Sequence, residues 1–535
     1  MHTVQSRTAC IPGPRRTVAD GATSVFTVTT ATSRDVDAEF LALPLSLLAD
    51  AALSTARVAG AEHADLRVHR LVTQSIRLRD GRVESITNAT DLGFAVRVIV
   101  DGTWGFASHA ALTPDTAAEV ATRAVTVAKT LRALNRERVE LAAEPAYDTT
   151  WVSDYAVDPF DVPTADKVAL LQDYSGRLSA ADGVDHVTGS VLQVKEQTFY
   201  ADTAGSRITQ QRVRLHPQFE AVTVDPAAGA FETMRTLAPP AGRGWEYVTG
   251  ADETWDWGGE LAQIPAWLAE KVKAPSAIAG PTDLVIDPTN LWLTIHESIG
   301  HATEYDRAIG YESAYAGTSF ATPDQLGTLK YGTPIMHVTG DRTVEHGLAT
   351  VGYDDEGVAG QQWDLVRDGI LVGYQLDRVF APRLGLSRSN GCSYADSPHH
   401  VPIQRMANVS LQPDPVRDTS TEELISRVDD GIYIVGDRSW SIDMQRYNFQ
   451  FTGQRFFRIR NGRLDGQLRD VAYQATTTDF WGAMEAVGGA STWQLGGAFN
   501  CGKAQPGQVA AVSHGCPSIL VRGINILNTR TEAGQ

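Results

Sequence analysis

His296, Glu297 and His301 are the residues best suited to chemistry: two imidazoles and a carboxylate in one short stretch, the groups that hold a divalent metal and take a proton beside it. In the familiar zinc-protease arrangement the histidines stand four apart, about 40° around a helix, and face one ion. Here they stand five apart. On an ideal α-helix that leaves them roughly 140° apart, too far to share a tetrahedral ion. The helix must deform or end between them. A single wider turn with i to i+5 bonding brings both rings toward one face, and Gly300, just before His301, is expected to supply the backbone freedom for it.

The stretch has a readable frame. Asp283–Ile286 reads as a strand, Asp287 as a helix N-cap and Pro288 as the first helical position, ahead of Leu291–Ile295 and the motif. A catalytic zinc needs a third protein ligand, and none follows at the short interval seen in many zinc proteases. Glu304 and Asp306 are near in sequence but are equally readable as solvent-facing acids. Cys501 lies in a glycine-rich stretch, Gly496–Gln508, read as a loop in which a thiolate could approach an ion; a lone cysteine is more often a buried inert thiol. Spacing does not decide between these. Tyr305, Tyr315, His346, His400 and His514 are available as hydrogen-bond donors to an oxyanion, but ordinary packing is the simpler account of each.

Around the motif the pattern is mixed α+β. Residues 1–40 are rich in Thr, Ser, Ala, Gly and Arg without periodicity and read as a disordered extension or an overlong start assignment. A helix is expected over Leu41–Ala61, then strands flanking a tight turn at Asp80-Gly81, and further helices at Pro114–Ala133 and Thr164–Ala181. The low-periodicity, proline-bracketed segment 274–281 marks a boundary between an N-terminal α+β domain, 41–275, and a β-rich C-terminal domain, 276–535, that carries the metal motif. In the second half Asp368-Gly369 and Asn461-Gly462 mark hairpins, and Tyr447, Phe449 and Phe451 alternate with polar residues as in a strand. Ser420 with Glu423 forms a capping box ahead of a helix.

Composition narrows the class of function. The 535 residues carry 64 acidic against 46 basic side chains, a net charge of -18, which repels a nucleic-acid partner. Leu41–Ala61 is interrupted by Asp50 and Arg57, so no apolar run reaches the roughly 18–20 residues of a membrane span. No secretory leader is readable, and four cysteines are too few for a disulfide framework, which together predict a cytoplasmic protein.

With the His296-Glu297-x-x-x-His301 motif and the Cys501-Gly502-Lys503 segment both in view, the chain resembles the TldD/PmbA family, specifically its TldD branch, in which the motif is kept. Blocks at Asp354–Gln361, Asn390-Gly391 and Met406–Asn408 belong to the same likeness, which runs over most of residues 41–528. The resemblance implies a zinc-type metallopeptidase, with iron as the alternative ion, held by His296, His301 and Cys501, and with Glu297 as general base. It also implies a PmbA/TldE-like partner subunit, or a homo-oligomer, and small or unfolded peptides as substrates. The sequence departs from the better-known enterobacterial pattern over Ala302–Arg307 and Gly310–Phe320, which leaves the substrate open.

On this reading three ligands leave a fourth position for water, whose proton Glu297 takes as the water attacks a peptide carbonyl. A thiolate ligand lowers the Lewis acidity of the ion relative to three histidines. The rival expectations are a tailoring enzyme of peptide-derived natural products, a non-catalytic peptide-binding subunit with a structural metal, and a thiol enzyme with Cys501 as nucleophile.

Overall fold

His63–Arg79, Arg82–Val100, His186–Asp202 and Arg207–Asp225 are four long strands, buried on both faces over part of their length and alternating or exposed over the rest. In the computed structural model, which describes residues 35–226, 230–504 and 506–534, they form the middle of a seven-stranded sheet. The strand order is Thr103–His109, Arg82–Val100, His63–Arg79, His186–Asp202, Arg207–Asp225 and Asp148–Val152, with Ala230–Arg235 also pairing to Arg207–Asp225. The first hairpin turns at Asp80 and Gly81, both at positive φ, as the Asp-Gly pair requires.

Helices cover this sheet at two places. Leu45–Val58 and Pro114–Leu131 pack Leu48, Ala52, Val120 and Ala124 against Phe94, Val96 and Val98; Thr164–Ser179 and Trp257–Lys271 pack Leu171, Leu178, Leu261 and Ile264 against Ile76, Val191 and Phe219. The three helices expected from periodicity in this half are present, with ends shifted by a few residues. Most of the N-terminal segment read as an extension lies outside the described residues, but from residue 35 the chain is folded: Ala38–Leu41 is a helical turn and Phe40 is fully buried.

The second half is built on a ring of strands. Asp430–Ile442, Gly280–Ile286, Ile519–Asn528, Val471–Thr476 and Asn448–Arg460 pair in that order, and the last pairs back to the first. Asp430–Ile442 runs parallel to Gly280–Ile286; the other pairings in the ring are antiparallel. Phe449 and Phe451 turn inward and are buried, as the alternation predicts. The turns at Asp368-Gly369 and Asn461-Gly462 and the Ser420–Glu423 capping box are formed.

The segment Gly280–Ile286 feeds directly into the motif helix, Pro288–Ile295, whose N-cap Asp287 accepts from the Thr289 amide. Every residue of that helix is buried. Its polar members are accordingly spoken for: Asn290 donates to the Gly436 and Thr452 carbonyls, and the Tyr473 hydroxyl bridges Asn290 and Thr294. The strands thus hold the helix in one rotational setting, which fixes where the next turn points.

Candidate metal centre

The next turn is the wide one. Residues His296–Gly300 form a single π turn, and the His301 amide donates to the His296 carbonyl at 3.0 Å, an i to i+5 bond. The extra residue brings the rings together, 4.7 Å between centroids, despite the spacing of five. A wide turn loosens carbonyls from the helix ladder, and side chains collect them: Tyr331 donates to Ser298 O, and Gln375 donates to Gly300 O at 2.7 Å. Gly300 is needed for a reason other than the one expected. Its φ is not in the left-handed region; a Cβ there would meet the end of the buried Met406 side chain, Sδ at 2.6 Å, so what the glycine supplies is room for that side chain rather than backbone freedom.

Cys501 is not in a loop. It lies on the strand Gln494–Ala504, paired with Gly507–Cys516, just past a register shift after Ala498 that re-aims the strand. The glycines before it make room: a Cβ on Gly496 would strike the Trp292 ring at 2.3 Å. Through this hairpin Cys501 Sγ comes 3.7 Å from His301 Nε2. Ligand atoms of His296, His301 and Cys501 all lie within 4.8 Å of one another, and the three residues are buried. A tetrahedral zinc with usual bond lengths would set its sulfur and nitrogen ligands roughly 3.6 Å apart. The observed 3.7 Å fits that donor set.

The hydrogen bonds fix which nitrogens are free. His514 Nδ1 is 2.8 Å from the Val409 carbonyl, which can only accept, so Nδ1 carries the proton and Nε2 is an acceptor. His296 Nδ1 is 2.7 Å from that Nε2 and must therefore donate to it. The lone pair of His296 is left on Nε2. His301 reaches the same state by another partner: its Nδ1 donates to Glu304 Oε2 at 2.8 Å, leaving Nε2 toward Cys501. Glu304, readable from sequence as solvent-facing, is 1% exposed and touches Arg307 and Lys503. Burial works against its charge, but Lys503, His301 and Arg307 outweigh it and hold the carboxyl well below the usual range. Lys503 also bridges to Asp306, which is buried too.

Two comparisons give this arrangement a family. Residues 279–528 match the PmbA/TldA metallopeptidase C-terminal domain, and residues 64–128 match PmbA/TldA metallopeptidase domain 1, together more than half of the chain. This chain belongs to the PmbA/TldD family. A metalloprotease of Methanothermobacter thermautotrophicus is 29% identical over 88% of this chain and 96% of its own length. A zinc metalloprotease TldD homolog of Saccharolobus solfataricus is 21% identical over 87% and 97%. Among solved structures, a candidate modulator of a DNA gyrase from Thermotoga maritima superposes with a TM-score of 0.71 at 16% identity, covering 90% of this chain and 100% of that one. TldE from Thermococcus kodakarensis does so at 0.65 and 15%, covering 89% and 98%. The PmbA/TldD fold, mixed α+β with a β-rich C-terminal half, is therefore that of this chain.

Within this PmbA/TldD site, Glu297 is buried and its Oε2 lies 3.0 Å from Arg446 Nη1. Burial would raise its carboxyl, but His301, His296 and Arg446 outweigh it and the carboxyl sits below its ordinary value. Arg446 itself sits at φ 63°, in a turn held by Asp443, whose carboxylate accepts from the amides of Gln445, Tyr447 and Asn448. For Cys501, burial pushes the thiol up, but His301 and Arg405 outweigh it and bring it down. Arg405 also donates to the Cys501 carbonyl and thereby holds the strand.

Arg446 and Arg405 were missed by the sequence reading because nothing in spacing or type separates them from the other arginines; Lys503 was noted beside Cys501 but given no role. His514 was among the donors considered there, and the structure places it against His296. The remaining donors lie elsewhere: Tyr315 is 71% exposed, His400 pairs with Asp396, His346 adjoins Glu345, and Tyr305 packs on Tyr374 and Phe380.

Proposed function

We propose that this chain is a metal-dependent peptidase of the TldD branch, acting on small or unfolded peptides, with His296, His301 and Cys501 as metal ligands and Glu297 as general base. The observation that carries the reading is the meeting of these three donors from segments two hundred residues apart, at a sulfur–nitrogen separation suited to one ion and beside a buried carboxylate. Zinc is the ion we favour, on the two-nitrogen, one-thiolate donor set and on the name of the Saccharolobus relative; iron is the alternative.

When bound, the ion supplies a Lewis acid for the scissile carbonyl and a more acidic water. The chain's own groups do the rest. His514 and Glu304 hold the two imidazoles in the tautomer that presents Nε2. Arg446 is 3.0 Å from Glu297 and favours its ionised form, in which the carboxylate can take the proton of the attacking water and pass it to the leaving amine. The likeness to a TldE structure supports a TldD/TldE-type partner, or a homo-oligomer. The described thiols Cys392, Cys501 and Cys516 are all free, which supports a cytoplasmic location.

The test is metal analysis of the purified protein and of Cys501→Ala, followed by cleavage of unstructured peptides with and without a PmbA-like partner. About one equivalent of metal in the wild type, its loss in the variant, and cleavage abolished by chelation and restored by zinc are expected. Cleavage that survives chelation would instead favour a thiol mechanism at Cys501.

A further inference from the structure

A cavity of about 780 Å³ lies on the other side of Asp306 from the Lys503–Glu304–His301 chain, and nothing in the proposed chemistry uses it. Its walls carry five aromatic rings, Trp104, Phe106, Tyr305, Tyr311 and Phe380. The volume falls within the range of sites that take small ligands, roughly 300–1,000 Å³.

Most charges in this wall are paired, Arg138 with Glu62 at 3.4 Å among them, while Arg136 meets no carboxylate among the described residues. Glu356 meets Arg97 at 3.1 Å and the Arg378 amide at 2.8 Å; Asp306 meets Lys503 at 2.6 Å; Arg383 meets Glu137 at 3.0 Å. Asp377 is different. It is 6% exposed, its Oδ1 accepts from the amides of Val379 and Phe380, and its Oδ2 accepts no hydrogen bond among the described residues. On a side chain otherwise buried, a carboxylate oxygen that takes no hydrogen bond and lines the cavity is free to meet a cation entering it. The neighbouring rings can receive one: Arg383 already lies 5.3 Å over Phe380 and 6.0 Å over Tyr311.

We propose that this cavity binds the cationic group, ammonium or guanidinium, of a peptide-like ligand, with Asp377 as its counter-ion and the aromatic rings as its walls. The site is separate from the metal centre and does not depend on the peptidase reading. Burial and the like charges of Glu356 and Asp306 push the Asp377 carboxyl well above its ordinary range. A bound cation favours the ionised form, so wherever the carboxyl is partly protonated binding releases protons and tightens as pH rises.

The experiment is calorimetric titration of the full chain carrying Glu297→Gln, which keeps peptides from being consumed. Three probes separate the sources of charge: acetyl-Phe-Arg-amide (guanidinium alone), Phe-citrulline-amide (ammonium alone) and acetyl-Phe-citrulline-amide (neutral). At least one charged probe is expected to bind ten-fold or more tightly than the neutral one, with proton release seen as a dependence on buffer ionisation enthalpy. Binding should persist after chelation. Asp377→Asn should weaken it ten-fold or more while metal content stays unchanged, and Val139→Trp, which fills the cavity from its wall, should weaken it if the Asn variant does not fold. Equal affinity for charged and neutral probes, loss of binding on chelation, or binding indifferent to both substitutions would overturn the proposal.

Discussion

His514 Nε2 lies 2.7 Å from His296 Nδ1, and the Val409 carbonyl behind it forces His514 to be the acceptor of that pair. Trp292 stacks on the His514 ring at 9°, so ring and hydrogen bond are both held. Such a partner typically contributes 10- to 100-fold in metal affinity. His514→Ala should therefore lower metal affinity by about that factor while every proposed ligand remains. Competition with a calibrated chelator measures it, and an unchanged affinity would show that His296 needs no such support.

Glu297→Gln should keep the metal and lose about 10²- to 10⁴-fold in peptide cleavage, the usual contribution of a general base. Arg446→Gln should act differently. Arg446 helps hold Glu297 below its ordinary pKa, and the base works only when ionised, so removing Arg446 raises that pKa. The acid limb of kcat/KM should then move to higher pH, with activity largely recovered on the alkaline side. A uniform loss at all pH values would mean that Arg446 binds substrate instead.

Gly300→Ala should cost about 1–3 kcal/mol of stability, the range for overpacking a filled site, because its Cβ would press on the buried Met406 sulfur. Since the displaced turn carries His301, metal binding should fall too. Combining it with Met406→Ala should recover part of both losses. If the double variant is no better than the sum of the single ones, the contact is not the cause.

His216 should make the protein acid-sensitive. Burial, with help from Arg235, lowers its pKa from about 6.5 to about 4, so the folded chain favours the neutral ring. The unfolded chain binds a proton below about 6.5 that the folded chain does not. The contribution is fully present above 6.5 and is lost as pH falls from there to about 4. His216→Phe, which can keep the stacking on Phe499, should flatten the fall of the urea midpoint across that window. An identical slope in the two proteins would remove His216 from the account.

Much of the local structure was legible. Pro288 after Asp287 announced the motif helix, Asp80-Gly81, Asp368-Gly369 and Asn461-Gly462 announced hairpins, and the five-residue spacing of His296 and His301, read as two ligands of one ion, called for a helix that deforms or ends, of which the structure shows the i to i+5 turn. These are short-range effects, set by backbone sterics and by helical geometry within one turn. The role expected of Gly300 was mistaken because a glycine's sequence does not say whether it supplies a rare φ or an absent Cβ; only the Met406 side chain, a hundred residues on, tells them apart.

What the chain alone determined, then, was two imidazoles, a carboxylate and the distortion that lets them face one way. Resemblance pointed to Cys501, and tertiary structure decided how the groups that complete them are placed. Cys501 arrives on a bulged strand, Arg446 on a turn held by Asp443, and His514 on the opposite strand of the hairpin that bears Cys501. Each is placed by register and packing between distant segments, and such placement leaves no periodic trace in the sequence. Buried charges must find partners when the chain closes, and here that requirement set Glu304, Lys503 and Asp306 behind His301.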